Sequence, residues 1–193
     1  MKKFNKLFVI VNGFPRSGKD TFIQILSRQL ERHKDTYTCI SVSSIDLIKE
    51  IAKKNFEWDG AKDTKGRRLL SDLKDAASRY NNLPLKHIKT FLESEKKTHS
   101  NTCIFSCIRE PVEIEKAVNM SEKLGFQPVT VFIDSPDHTG NAHSNHADTD
   151  VENYFYDITI SNSGSLVDFD LAIASSFYSF CEDFNLKNKE VFA

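Results

Sequence analysis

Gly13-Phe14-Pro15-Arg16-Ser17-Gly18-Lys19-Asp20-Thr21 follows the apolar run Leu7-Phe8-Val9-Ile10-Val11 and precedes a helical pattern. The stretch fits G-x-x-x-x-G-K-[ST] up to its last place, where Asp20 stands and Thr21 comes one residue later. Between a buried strand and a helix N-terminus, this pattern makes a phosphate-binding loop. Gly13 and Gly18 let the backbone curl so that successive N–H groups, including those of Arg16 and Ser17, point inward and hold anionic oxygens. The helix adds the positive end of its dipole. Lys19 can reach the β- and γ-phosphates and offset charge as the terminal phosphoryl moves. Thr21 offers a hydroxyl, expected at the α-phosphate. Asp20 is expected beside the magnesium ion that bridges the phosphates. The motif implies a bound phosphate and does not name the acceptor.

The bulk composition suits one domain spanning all 193 residues, long enough to bury a full core. Lys+Arg 26 against Asp+Glu 27 leaves almost no net charge, which argues against a duplex-coating nucleic-acid binder. The basic start Met1-Lys2-Lys3-Phe4-Asn5-Lys6 resembles a signal-peptide n-region. The apolar run after it is short and ends in the phosphate loop, so it reads as a strand. No apolar run approaches membrane-spanning length. The four cysteines, Cys39, Cys103, Cys107 and Cys181, form no C-x-x-C, and three fall in strand-like runs where Cys acts as a small apolar residue. A reducing, cytoplasmic location is the default expectation. The sequence leaves the oligomeric state open between monomer and homodimer.

Strands are expected at 6–12, 36–42, 102–108, 128–133 and 156–161. Between the first two, a helix over 18–33 carries Phe22, Ile25, Leu26 and Leu30 on one face. Ser44 or its neighbour should cap a helix bearing Ile45, Ile48, Ala52 and Phe56. A polar loop follows over 57–66. The next helix has Leu69, Leu70, Leu73, Ala76, Ala77 and Tyr80 on one stripe, and Pro84 starts another that ends near Lys97. Glu110-Pro111 opens a helix that Gly125 ends. The last helix starts at Ser165, with Asp168 completing an approximate capping box. Short apolar strands alternating with helices imply a three-layer α/β/α P-loop NTPase fold with a five-stranded parallel sheet. Ligands in such sheets bind beyond the carboxyl ends of the strands. The phosphate loop, Ser43 to Asp46, Arg109, Asp134 and Asn162 all fall at such ends.

Charge is uneven along the chain. From Ala61 to Lys97 there are 10 Lys/Arg and 5 Asp/Glu, whereas Asp134 to Asp157 holds six acids and no Lys or Arg. The basic part could draw in an anionic acceptor, and most of its lysines would equally suit solvated helix faces.

No N-K-x-D-like guanine signature is present. The loop Arg16 to Thr21 resembles that of bacteriophage deoxynucleoside monophosphate kinases and is similar to that of animal-type phosphomevalonate kinases. Gly66-Arg67-Arg68-Leu69-Leu70-Ser71-Asp72-Leu73 resembles the Arg-Arg-Leu helix of the phage family. Ile108-Arg109-Glu110 through Gly125, Val129 to Ile133, and Asp157 to Leu166 look like its C-terminal half. The pattern Asn162-Ser163-Gly164-Ser165-Leu166 is also similar to dephospho-coenzyme A kinases. The resemblance touches most of the chain in pieces. It implies transfer of a phosphoryl group from ATP, with Mg2+, to a nucleoside or deoxynucleoside monophosphate, a small-molecule partner. By position, Gly13 to Thr21 would hold the ATP phosphates, and Asn162 to Gly164 would lie beside the adenine. Arg109 would face the transferring or the acceptor phosphate. Ser44, Lys49, Arg67 and Arg68 would serve the acceptor, within a helical insertion over about 45–97. Phe56 and Trp58 could stack on a base, although core packing is the commoner use.

Two departures stand out. Cys107 occupies a place where related kinases often carry an Asp that organises the metal, so Asp20 or Glu110 is expected to take that task. Asp134-Ser135-Pro136 stands where an Arg often follows the fourth strand. The candidate lid over about 134–153 carries His138, His143 and His146, which lack metal-ligand spacing and read as loop histidines rather than a site with Asp148. Two other functions compete: a kinase with a non-nucleotide phosphate acceptor, and a nucleotide-binding regulatory protein with little turnover.

Overall fold

The computed structural model describes residues 5–32, 37–61, 63–136, 151 and 153–183, with side chains to Ser179. The region of His138, His143, His146 and Asp148 lies outside the described residues, as does most of the candidate lid. The five strands are β1 (Lys6–Asn12), β2 (Tyr37–Ser41), β3 (Asn101–Cys107), β4 (Gln127–Asp134) and β5 (Ile158–Ser161). The helices are α1 (Lys19–Glu31), α2 (Asp46–Phe56), α3 (Thr64–Asn81), α4 (Leu83–Glu95), α5 (Pro111–Leu124) and α6 (Leu166–Asp183).

All strand pairings are parallel, and the order across the sheet is β2-β3-β1-β4-β5. Successive side chains of a strand point to opposite faces, so an uninterrupted apolar strand needs cover on both. On one face Val9 and Val11 of β1 and Cys103 and Phe105 of β3 meet Phe22, Ile25, Leu26 and Leu30 of α1 and Phe169, Ile173 and Phe177 of α6. On the other, Phe8, Ile10 and Ile104 meet Ile88 and Leu92 of α4 and Ile114 and Ala117 of α5. Helices thus cover both faces of a five-stranded parallel sheet. Because the chain leaves β1 toward β2 on one side and leaves the adjacent β3 toward β4 on the other, the turns after β1 and β3 flank the switch point of the sheet, where a crevice opens.

The boundaries differ from expectation in a few places. Helix α2 has Ile45 as its N-cap and no side-chain cap, from Ser44 or from a neighbour; Ser43 instead closes a turn ahead of the helix, its hydroxyl accepting from Ile45 N (3.3 Å) while its own N–H donates to the Asp46 carboxylate (3.0 Å). Helix α3 starts at Thr64, inside the expected loop, because the Asp63 carboxylate caps Gly66 N at 2.7 Å. Gly66 is required there for space, since a Cβ would lie 2.3 Å from the Ala61 carbonyl oxygen and 2.7 Å from the Trp58 indole nitrogen. That indole N–H donates to the Ala61 carbonyl at 3.0 Å, so Trp58 closes the loop over α3. The apolar stripe of α3 is only partly covered: Leu69, Leu70, Leu73 and Ala77 are half-buried, while Ala76 and Tyr80 are exposed. Phe56, expected on the inner face of α2, is exposed as well. Helix α3 packs against other helices, α2 and α4, and not against the sheet, which is why periodicity overstated its burial.

Candidate active site

The loop after β1 turns through three residues with positive φ: Gly13 (+143°), Arg16 (+66°) and Gly18 (+97°). Arg16 is not a glycine, and holding it left-handed costs on the order of 1–3 kcal/mol, a strain that clusters at ligand-binding turns. A Cβ on Gly13 would sit 2.5 Å from the Ile133 carbonyl oxygen and 2.6 Å from Ser17 Oγ; one on Gly18 would sit 2.5 Å from Asn162 Nδ2. Both glycines are therefore demanded by close packing as well as by φ. Gly18 then stands as the N-cap of α1 with no side-chain cap, so the first N–H groups of this helix are not taken up by a capping side chain.

Asn12 sets the start of this loop. It is fully buried at the end of β1, and every polar atom of its amide is engaged. Oδ1 accepts from Gly13 N at 2.8 Å; Nδ2 donates to the Arg109 carbonyl at 3.0 Å and to the Tyr156 hydroxyl at 2.7 Å. Tyr156 in turn donates to the Val151 carbonyl at 2.7 Å. Its ring stacks on Phe132 with centroids 5.1 Å apart, and Phe132 meets Phe14 of the loop edge-on at 6.1 Å. One amide thus ties the phosphate loop to the end of β3, and an aromatic row supports it from β4. Burial pushes the Tyr156 phenol up to about 12, against the pull of the Asn12 hydrogen bond. A raised phenol loses its folded-state advantage as pH climbs from its unfolded value toward 12. Alkaline titration followed by phenolate absorbance should show one late-titrating tyrosine that disappears in Tyr156→Phe; a variant that titrates like the wild type would place Tyr156 in water.

The Lys19 ammonium donates to the carbonyls of Gly13 (2.7 Å) and Phe14 (2.6 Å), at the rim of the loop. Ser17 is fully buried, and its Oγ has no hydrogen-bond partner among the described residues. A buried hydroxyl in that state is costly unless something else satisfies it. The glycine cradle, the uncapped helix start, Lys19 and this orphan hydroxyl fit the phosphate oxygens of a nucleotide.

Lys19, Asp20 and Arg109 all act electrostatically on Cys107, the last residue of β3. Burial pushes the Cys107 thiol up; Lys19 pulls it down, Asp20 pushes it up and Arg109 pulls it down. Asp20 is exposed at the first turn of α1 and Arg109 is half-buried. Asp20 fits magnesium as a single oxygen ligand, the mode in which this ion is held by one or two carboxylates plus substrate phosphates. Among the described residues no group of three or more His, Cys, Asp or Glu forms a cage. The alternative metal carboxylate, Glu110, is otherwise engaged: its two oxygens lie 2.7 and 2.9 Å from Lys74 Nζ.

The remaining expected residues divide. Thr21 is half-buried in the first turn of α1. Asn162 reaches the loop, donating through Nδ2 to the Ser17 carbonyl at 3.0 Å. Gly164 packs on the capping box of α6, where a Cβ would lie 2.8 Å from Asp168 Oδ2, and the Asp168 carboxylate accepts from Ser165 N (2.9 Å) and Oγ (2.7 Å). Ser44 is buried beyond β2. Lys49 pairs with Asp46 at 3.2 Å in the first turn of α2. Arg67 and Arg68 are both exposed on α3, with Arg68 3.8 Å from Asp72 and its side chain 84% exposed. Sequence reasoning missed Asn12, Tyr156 and Lys74. Only Asn12 carried a signal, an amide closing an otherwise apolar strand.

No protein-family model matches the sequence, and no curated protein matches it. Among solved structures the chain is similar to a gluconokinase from Sinorhizobium meliloti 1021, with 12% identity over 97% of this chain and 99% of that one and a TM-score of 0.53. It is also similar to an APS kinase mutant from Mycobacterium tuberculosis (10% identity, 91% and 99% of the chains, TM-score 0.49) and to a shikimate kinase from Aquifex aeolicus (15%, 94% and 100%, 0.47). At such identities the likeness, carried by the gluconokinase structure, is one of fold alone: a five-stranded parallel sheet with helices on both faces.

Proposed function

We propose that this chain is an ATP-dependent kinase whose acceptor is a nucleoside or deoxynucleoside monophosphate. The observation that carries the reading is the glycine loop at the carboxyl end of β1, with the Lys19 ammonium at its rim, a buried, unpartnered Ser17 hydroxyl inside it, and the backbone of Arg109 tied to its start through Asn12. The backbone N–H groups of Gly13 to Gly18 and the Ser17 hydroxyl bind the triphosphate, with Thr21 one turn on. Lys19 leaves the loop carbonyls for phosphate oxygens. An acceptor phosphate oxygen attacks the γ-phosphorus in line; the new O–P bond forms as the bond to the β-phosphate oxygen breaks, and ADP departs. Positioning and charge neutralisation dominate such a transfer. Arg109 holds the moving phosphoryl or the acceptor phosphate in a fork of N–H donors. Asp20 orders magnesium, which when bound supplies further charge neutralisation. Lys49, Arg67, Arg68 and Ser44 serve the acceptor side.

A phosphate acceptor is favoured over a hydroxyl because it arrives already anionic and needs no general base. The carboxylates next to Arg109, those of Glu110 and Glu113, are committed to Lys74. An ADP-release assay with MgATP and a panel of nucleoside monophosphates, phosphomevalonate, dephospho-coenzyme A, gluconate and shikimate tests the acceptor class. Release with a monophosphate supports the proposal; release with another acceptor alone replaces it.

Asp20→Ala should raise the magnesium concentration for half-maximal turnover by about 10-fold or more, the scale on which a lost metal partner is felt. An unchanged magnesium titration would remove Asp20 from that role.

A further inference from the structure

A second charge cluster adjoins the site. Lys74 of α3 lies 2.7 Å from Glu110 and 3.2 Å from Glu113, and the three side chains are only 16–26% exposed. Other ion pairs among the described residues have side chains 35–84% exposed. Ser78, one turn further along α3, donates to Glu113 at 3.5 Å. Despite its burial, attraction by the two carboxylates holds the Lys74 ammonium above the usual lysine range. Lys74 holds Glu110 below the usual carboxylate range, while burial and the neighbouring Glu110 push Glu113 up.

A half-buried triad of this kind contributes little net stability, because desolvation offsets attraction; its best-attested use is to fix register. What it fixes here is defined by its place in the chain. Glu110 is the N-cap of α5 and directly follows Arg109. The Arg109 carbonyl is already held by Asn12 Nδ2 at 3.0 Å. The backbone that carries the Arg109 guanidinium is therefore pinned on one side by Asn12 and on the other by the grip of Lys74 on both oxygens of Glu110.

We propose that Lys74 is a positioning residue: by holding Glu110 it keeps the Arg109 guanidinium at the phosphate loop, so that the docking of α3 is coupled to the transfer site. Its kinetic consequence rests on the phosphoryl-transfer reading; its structural consequence does not. The full chain, 15N-labelled at arginine, gives an Arg109 Nε–H signal that is assigned by its loss in Arg109→Ala. In Lys74→Met the order parameter of that group should fall from the rigid range of about 0.85 toward the flexible range below about 0.6, and Lys74→Arg should restore it. Should Lys74→Met not fold, Glu110→Gln, which keeps the shape and removes the charge, should loosen Arg109 in the same way.

In turnover, Lys74→Met should cost roughly 10- to 100-fold in kcat, the scale of a misplaced catalytic group, with the KM for ATP little changed. In the Arg109→Ala background it should cost nothing more. An Arg109 signal equally ordered in a folded Lys74→Met or Glu110→Gln overturns the proposal whatever the activity. Additive losses in the double variant overturn it as well. Wild type that transfers to no acceptor while Arg109 still loosens in the variant sinks the kinase reading and leaves the positioning role standing.

Discussion

Lys19→Ala is expected to lower turnover by about 10²–10³-fold, the cost of losing one preorganised electrostatic donor at a transferring group. The fold should survive. The ammonium donates to the carbonyls of Gly13 and Phe14 at the loop rim, and the apolar face of α1 is carried by Phe22, Ile25, Leu26 and Leu30. Steady-state kinetics beside a thermal melt separate the two effects. A well-folded variant with near wild-type turnover would show that Lys19 serves the loop and not the phosphate.

Arg109→Ala should cut turnover by roughly 10²-fold or more and change ATP affinity much less, because the loop supplies most of that binding. The guanidinium starts just past the end of β3, where its charge acts on the Cys107 thiol together with those of Lys19 and Asp20. A planar, permanently charged fork suits phosphate oxygens at any working pH. The backbone carbonyl of Arg109 is bound by Asn12, so truncating the side chain leaves that tie in place. Turnover and acceptor affinity both at wild-type levels would make Arg109 a structural residue and move the acceptor elsewhere.

The parts legible in the sequence were those governed by local pattern. The bounds of β1 follow from an apolar run that ends in a glycine, and Phe22, Ile25, Leu26 and Leu30 are all buried as their spacing required. The capping box of Ser165 and Asp168 and the left-handed Gly125 closing α5 were equally readable. The parts not legible depend on pairs far apart in the chain. Nothing in the sequence joins Asn12 to Tyr156, 144 residues away, or Lys74 to Glu110, 36 residues away. Lys74 was one of many lysines in a basic stretch, and only packing of α3 against the start of α5 singles it out. For the same reason Arg67 and Arg68 looked alike on paper with the site residues, whereas their helix leaves both exposed. Asn162 was placed beside the base by resemblance; the fold shows its Nδ2 donating to the Ser17 carbonyl, a tie to the loop that the sequence did not reveal.

The most direct test of the account is 31P NMR of the wild-type chain with MgATP and a deoxynucleoside monophosphate panel. Transfer predicts loss of the acceptor monophosphate signal and growth of the α- and β-phosphate doublets of a diphosphate formed from it, together with ADP, all slowed by about 10²–10³-fold in Lys19→Ala. Bound ATP with every monophosphate signal unchanged would contradict the account and make the phosphate loop a binding site without transfer.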